Sequence, residues 1–208
     1  MLRTLLIASV LQLGLGTVAM ACEGQTGAVI FEDTFPDDSG GWELTVGSSE
    51  VIPPVLKLTP KGTSTTLNLT FNAVSADYCA EVKLPQGKPD NYVGFGLDFW
   101  AKDYTSLMSF IVYTNKTAGL YKLTDGVWTA IYNGNDVNVD TTPGATNTVR
   151  VIAKDGKITL MLNGTVLKAV RAQVPEGNLR FGAYAEIQTN IDDGPSVEVT
   201  SYSVTTGE

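Results

Sequence analysis

The chain has 208 residues, a formal net charge of −8 and no histidine. An acidic balance argues against a nucleic-acid-binding surface, which needs clustered Lys and Arg. The missing histidine excludes a Ser-His-Asp triad, a Cys-His dyad, a histidine-based zinc centre and an imidazole general base. Any chemistry must then depend on carboxylates, Tyr, Lys, Cys, Ser or a hard cation.

The first 21 residues have the features of a secretory signal peptide of bacterial type. Arg3 supplies a positive charge, Leu5 to Val18 is mostly apolar, and Ala19-Met20-Ala21 is a small-x-small cleavage site. The apolar run is too short and too interrupted by Gly for a strong transmembrane span, and no later segment is apolar enough. We therefore expect residues 1–21 to be removed and residues 22–208 to form a single exported domain.

Two cysteines remain, Cys22 and Cys79. An even pair in an exported protein most simply forms a disulfide, which would tie the amino terminus to the middle of the chain. Lipidation of Cys22 is the alternative, but Ala19-Met20-Ala21 is a poor lipobox because a Leu is usual three residues before the cysteine. The expected location is thus secreted or periplasmic, rather than lipid-anchored through Cys22.

Short runs of alternating apolar and polar residues fill the rest of the chain, separated by Gly, Asn, Asp and Pro. With many Thr and Val and no long helical period, this pattern predicts an all-β sandwich of about a dozen strands. In chain order the predicted strands span 29–35, 42–46, 55–58, 66–71, 78–84, 92–102, 106–114, 118–123, 127–132, 148–154, 157–162, 165–170, 178–188 and 197–204.

Three Asx-Gly pairs predict tight hairpin turns, at Asp125-Gly126, Asp155-Gly156 and Asn163-Gly164. Strands joined in this way pair antiparallel. Two stacked antiparallel sheets would bury one face of each strand and leave the other face in water. We expect no long helix after residue 21 and no internal repeat or linker.

Three stretches of the sequence together resemble the concanavalin A-like jelly roll. They are Phe31-Glu32-Asp33-Thr34-Phe35 with Gly41-Trp42, then Gly94 to Phe99 with the 121–128 hairpin, and finally a closing block from Val149 to Gly182. That superfamily includes laminin G-like domains, legume lectins, family-sixteen glucanases and the 3-keto-disaccharide hydrolase-like domains of exported bacterial proteins. The resemblance covers about residues 28–205 and implies a two-sheet antiparallel sandwich, which does not fix a function.

The resemblance also implies that the strands at 92–102 and 178–188 share one concave sheet. Sugar recognition needs flat aromatic faces together with planar polar groups. Trp100 and Tyr184 are the expected platforms, and the first hypothesis is a non-catalytic protein that binds a glycan or polysaccharide on this face. The other reading is a solvated sheet face with cross-strand ion pairs. The predicted ligand-binding residues are Tyr92, Asp98, Trp100, Arg180, Tyr184 and Glu186.

Asp98 and Glu186 are also the candidate catalytic carboxylates. Their separation would decide between a retaining and an inverting glycosidase. The Glu-x-Asp-x-(x)-Glu motif of family-sixteen glucanases is absent, so a glycoside hydrolase of the keto-disaccharide type is the alternative function. A structural or protein-interaction module is the third. The sequence does not indicate the oligomeric state.

No organic cofactor is expected, and Ca²⁺ is the one metal considered. Carboxylates near the two chain ends, which lie on adjacent strands in related sandwiches, can supply the oxygen ligands of Ca²⁺. Asp192-Asp193 is equally a plain acidic turn. Trp42 and Trp128 are expected to pack rather than to bind a ligand. The acidic residues considered are Asp33, Asp37, Asp38, Asp192 and Asp193, with Asp33, Asp192 and Asp193 as the metal candidates.

Overall fold

The computed structural model describes residues 22–45, 48–87, 92–187 and 195–207. The predicted signal peptide, residues 1–21, lies outside them. In this part of the chain no helix is long and apolar enough to cross a membrane. The strands are β1 Val29–Asp33, β2 Ser49–Ile52, β3 Val55–Leu58, β4 Thr63–Leu67, β5 Ala76–Lys83, β6 Val93–Asp103, β7 Ser106–Tyr113, β8 Thr117–Thr124, β9 Val127–Asn135, β10 Thr146–Lys154, β11 Lys157–Leu162, β12 Thr165–Arg171, β13 Arg180–Ile187 and β14 Val197–Thr205.

The strands form two antiparallel sheets. The larger sheet has the order β12-β11-β10-β5-β14-β3-β2, with β1 also paired to β14. The smaller sheet has the order β4-β13-β6-β7-β8-β9. Local hairpins build β6 to β9 and β10 to β12, whereas β13 and β14 insert between strands distant in sequence. The predicted all-β, two-sheet jelly-roll sandwich is confirmed.

Alternation along the strands builds one main core between the two sheets. On β5 the inward side chains are Tyr78, Ala80 and Val82, and on β6 Phe95 and Phe99 face them with no exposed surface. Burying a side chain of this kind contributes about 1.5–3 kcal/mol relative to leaving it in water. The opposite side chains on the same strands are then free to form the outer faces of the sheets.

The three predicted Asx-Gly turns are confirmed by their backbone angles. Asp125 and Gly126 have φ values of 51° and 79°, and the other two pairs show the same left-handed conformation. Two consecutive residues of positive φ form the hairpin turn that matches strand twist, and Asn, Asp and Gly tolerate it best.

The strand prediction is wrong at 42–46, where Trp42 forms a single bridge with Asn68 and no strand follows through residue 45.

The opening motif forms a buried structural cluster. The carboxylate of Asp33 accepts hydrogen bonds from the Phe35 amide at 2.7 Å and from Trp42 Nε1 at 2.8 Å. The Trp42 ring then packs against Phe31 and Tyr202, with ring centroids 5.7 and 5.1 Å away. The prediction that Trp42 packs in the core is confirmed.

The amino-terminal segment is fixed on the outer face of the larger sheet. Cys22 and Cys79 form the predicted disulfide, with their Cα atoms 6.1 Å apart. Arg150 Nε and Nη2 bond the two carboxylate oxygens of the buried Asp77 at 2.9 and 2.5 Å, and Nη2 also donates to the Gly24 carbonyl at 2.9 Å. The disulfide and the Arg150 contacts thus attach residues 22–24 to β5 and β10.

Candidate functional site

The six-stranded sheet has one face against the core and one face turned away from it, which we call the open face. On β13 the residues directed to the open face include Tyr184 and Glu186. The ladder places Glu186 opposite Gly94 of β6, and Gly94 opposite Tyr113 of β7. It likewise places Tyr184 opposite Gly96. Large polar or aromatic side chains thus flank glycines across the strands.

These glycines let neighbouring side chains lie close to the backbone. A Cβ atom built on Gly94 would lie 2.7 Å from Glu186 Cγ and 2.8 Å from the Tyr113 ring. On Gly119 of β8 it would lie 2.4 Å from the Tyr121 ring. Such distances do not occur between real atoms, so a side chain at either position would displace its neighbour. The glycines therefore determine where the rings of Tyr113 and Tyr121 lie.

Five aromatic side chains, which we call the aromatic cluster, follow one another across the open face. The Tyr92 and Tyr113 rings meet edge to face at 5.5 Å. The Trp128 ring contacts that of Tyr121 at 6.4 Å and that of Tyr184 at 6.3 Å, both nearly perpendicular. Edge-to-face packing is a favoured geometry for aromatic pairs. The cluster leaves Trp128 44% exposed, whereas Tyr184 is 3% exposed.

Glu186 is the carboxylate of this cluster. The Tyr184 hydroxyl donates to Glu186 Oε2 at 2.6 Å. Burial raises the pKa of Tyr184, Tyr113 and Tyr92, and the negative charge of Glu186 raises each of them further. These three phenols therefore stay protonated at neutral pH, and their hydroxyls can donate to Glu186 or to a ligand.

Asp98 lies deeper in the same sheet, opposite Gly182 of β13. The Ser109 hydroxyl donates to Asp98 Oδ1, but among the described residues Oδ2 has no hydrogen-bond partner. Burial raises the pKa of Asp98 to about 7, while the nearby hydroxyls of Ser109 and Thr65 act in the opposite direction. The sequence-based expectation that Asp98 is in contact with water is wrong, because its side chain has no exposed surface.

Trp100 is the largest correction to the predicted site. Its side chain is 1% exposed, belongs to the core, and donates from Nε1 to the Val74 carbonyl at 2.6 Å. The cause is a bulge, since Phe99 pairs with Met108 and Asp103 with Ser106, so β6 has two residues more than β7 there. Trp100 itself has φ 50°. A bulge breaks the alternation on which the prediction depended.

The structure brings some of the other predicted residues together and separates the rest. Tyr92, Tyr184 and Glu186 lie in one neighbourhood of the open face. Arg180 lies six residues before Glu186 on β13, about 20 Å away at 3.4 Å per residue. Asp98 is opposite Gly182, and thus about 14 Å from Glu186 along the strand. Asp98 and Glu186 therefore do not face each other as a catalytic pair.

Sequence reasoning missed three members of the aromatic cluster. Tyr113 and Tyr121 are not among the predicted ligand-binding residues. Trp128, which is predicted to pack, does contact Tyr121 and Tyr184 but is also 44% exposed. Two signals are present in the sequence. Tyr121 and Trp128 flank the predicted Asp125-Gly126 turn, and isolated glycines within the strands indicate close approach of neighbouring groups.

Of the three residues predicted to bind calcium, the structure describes Asp33. Asp33 has both carboxylate oxygens engaged by protein N–H groups. Asp192 and Asp193 lie outside the described residues. Within the described ranges, no group of three His, Cys, Asp or Glu residues is arranged to hold a metal ion. Calcium binding stays a prediction.

Comparisons with known proteins agree with this fold. No protein-family model matches the chain, and neither does any curated protein. Among solved structures, Bacillus licheniformis beta-glucanase is similar with TM-score 0.62 and 11% identity, over 87% of this chain and 99% of the other.

Two carbohydrate-binding domains are also among the similar structures. The Emp47p carbohydrate recognition domain gives TM-score 0.63 and 13% identity over 86% of this chain and 96% of the other. The carbohydrate binding module CBM66 from Bacillus subtilis gives 0.53 and 15%, over 79% and 96%. The chain has the concanavalin A-like fold, and at these identities the likeness concerns the fold.

Proposed function

We propose that this protein binds a glycan on the open face of its six-stranded sheet, without catalysing a reaction on it. The observation that carries the proposal is the aromatic cluster itself: Tyr92, Tyr113, Tyr121, Trp128 and Tyr184 with Glu186 among them. Aromatic rings provide apolar faces for the C–H side of a pyranose, and phenol and carboxylate groups bond its hydroxyls.

The exposure of Trp128 supports this proposal. A large aromatic side chain that is 44% exposed on an outer sheet face loses burial energy that a core position would provide. Its indole is also held in one place by contacts with Tyr121 and Tyr184. A ring that is both accessible and held in place loses little conformational entropy when a ligand stacks on it.

The similar solved structures support a carbohydrate ligand. They include both carbohydrate-binding domains and a hydrolase, so they do not choose between binding and hydrolysis. The arrangement of carboxylates favours binding. The two carboxyl groups of a glycosidase flank one bond at about 5–9.5 Å. Asp98 has no exposed surface and lies about 14 Å along the strand from Glu186. Neither group is thus positioned to act with the other on one glycosidic bond.

We also propose that the protein is exported. The Cys22–Cys79 disulfide supports this location, because disulfides persist in oxidising compartments outside the cytosol. The amino-terminal 21 residues have the composition of a signal peptide. Intact-mass analysis of protein recovered from the periplasm or medium tests this proposal: a mature chain beginning at Cys22, two hydrogens lighter than the reduced form, is expected. A mass increase equal to a lipid would contradict it.

A glycan array with three variants tests the binding proposal. We expect Trp128→Ala to weaken binding by about tenfold, since one stacked ring is lost. Trp128→Phe should retain part of the affinity. The matched control is Val127→Ala, which changes the neighbouring residue, 67% exposed, on the other side of the same strand. Absence of binding to every glycan, or equal binding by Trp128→Ala and the control, would contradict the proposal and favour a structural or protein-interaction module.

A further inference from the structure

Few cationic residues lie on the strands of the six-stranded sheet. Its strands contain three cationic residues, Lys102, Lys122 and Arg180. Lys102 and Lys122 line a separate cavity of about 440 Å³, together with the segment 172–176 that follows β12. Arg180 is at the opposite end of β13 from Glu186. Glu186 is therefore about 20 Å along β13 from the cationic residue of its own strand.

Glu186 has no cationic partner among the residues that the structure describes. The three ion pairs found there join Lys57 to Glu50, Lys83 to Glu198 and Arg150 to Asp77. Glu186 instead accepts from the neutral hydroxyl of Tyr184. A partly buried carboxylate without a counter-ion keeps an unneutralised charge, and a ligand that brings a positive charge would gain from it.

The rings around Glu186 favour a cation as well. An aromatic face carries a negative quadrupole and attracts a cationic group within about 6 Å of the ring centroid. Tyr92 and Tyr113 are in edge-to-face contact, and the charge of Glu186 acts on both. Rings and carboxylate thus present the same sign of potential to an incoming ligand.

We infer that the glycan recognised by this cluster carries free, protonated amino groups, as in a chain of glucosamine residues without N-acetylation. This inference rests on the proposed function. The pyranose ring stacks on the aromatic cluster, and its ammonium group donates to Glu186. The acidic sugars of uronate polymers would place like charge beside Glu186, and neutral sugars would leave its carboxylate without a counter-ion.

The test compares four saccharides of equal length by isothermal titration calorimetry: β-1,4-linked glucosamine, its N-acetylated counterpart, β-1,4-linked glucose and α-1,4-linked galacturonate. The pH is kept below the pKa of the sugar amine. We expect the glucosamine oligomer to bind at least about tenfold more tightly than the others, because a charge-assisted hydrogen bond is added. Raising the pH above the pKa of the amine should remove this preference.

Glu186→Gln is the diagnostic variant, because Gln keeps an oxygen that can accept from Tyr184. It should lower the affinity for the glucosamine oligomer by about tenfold and change that for the N-acetylated oligomer little. Glu50→Gln, which removes the same charge from the other sheet, is the matched control. Equal or tighter binding of a neutral or acidic oligomer, or a preference that Glu186→Gln leaves intact, overturns the inference while the proposed function stands. If none of the four saccharides binds, the inference is overturned, and the proposed function fails only if the glycan array shows no ligand either.

Discussion

The rings of Trp128 and Tyr184 are in contact across four strand spacings of the open face. Trp128 is on β9 and Tyr184 on β13, with β6, β7 and β8 between them, yet their ring centroids are 6.3 Å apart. On a flat sheet, four strand spacings would separate the two backbones by about 19 Å. The contact therefore requires a curved sheet, and Gly119 of β8 leaves room for the Tyr121 ring that lies beside Trp128.

Tryptophan fluorescence should report on the exposure of Trp128. Trp42 and Trp100 are buried, whereas Trp128 is 44% exposed, so Trp128 should be the tryptophan that acrylamide quenches efficiently. A bound saccharide should protect it. Stern–Volmer titrations of the wild type and of Trp128→Phe provide the measurement. Efficient quenching that persists in Trp128→Phe would contradict the assignment.

Adding one methyl group beneath the cluster should disrupt it. In Gly94→Ala the new Cβ would lie 2.7 Å from Glu186 Cγ and 2.8 Å from the Tyr113 ring, so both side chains must move. We expect a loss of about 1–3 kcal/mol in the free energy of unfolding, as for other overpacked sites, together with loss of glycan binding. Gly87→Ala is the control, because nothing lies within 4 Å of its Cβ position. Urea unfolding and calorimetry measure the two effects, and unchanged binding by Gly94→Ala would contradict the role given to this glycine.

Asp98 should make stability depend on pH in the direction opposite to that of an ordinary paired carboxylate. Its pKa is about 7 in the folded protein, against 3.8 for an unperturbed Asp side chain, so between these values the folded state holds a proton that the unfolded state has lost. The free energy of unfolding should therefore fall as the pH rises from about 4 to about 7, by at most about 4 kcal/mol.

Asp98→Asn tests this dependence, because an amide cannot ionise and its oxygen can still accept from Ser109. Urea unfolding at a series of pH values should show a smaller decrease in stability for this variant than for the wild type. Asp38→Asn, at an exposed position, should leave the pH dependence nearly unchanged. Equal slopes for the wild type and Asp98→Asn would show that the buried carboxyl is not the group responsible.

The disulfide should be a major source of stability. It closes a loop with a sequence separation of 57 residues, and the chain-entropy treatment assigns such a loop about 4 kcal/mol. We expect Cys22→Ser to lower the free energy of unfolding by about this amount, and reductant to have no further effect on the variant. Equilibrium unfolding of both proteins with and without reductant measures this. Equal stability of the reduced and oxidised wild type would be the contrary result.

The sequence predicts those features that depend on local pattern. Alternation is enough to place Tyr184 and Glu186 on the face opposite the core, and the Asx-Gly pairs locate the hairpins. Cys22 and Cys79 are predicted to pair because they are the two cysteines in a chain that the sequence predicts to be exported. Alternation and turn type are set by residues close together in the sequence, and the disulfide follows from the number of cysteines. None of these predictions needs the three-dimensional arrangement of distant strands.

What the sequence does not predict depends on non-local geometry. Trp100 turns into the core because β6 has two more residues than β7 opposite it, and a bulge of this kind is a property of a strand pair. Trp128 joins the cluster because curvature brings β9 towards β13. Asp98 is covered by neighbours from three strands, so its burial cannot be derived from the alternation of β6 alone.

The anchored amino-terminal segment has a practical consequence for orientation. Cys79 is on the side of β5 opposite the core residues Tyr78 and Ala80, so Cys22 lies on the far side of the sandwich from the aromatic cluster. A tether or affinity tag placed ahead of Cys22 would extend from the outer face of the larger sheet, on the side of the molecule away from the aromatic cluster. On a sensor chip or bead coupled in this way, every copy should present its tryptophan-bearing surface to the bulk solution.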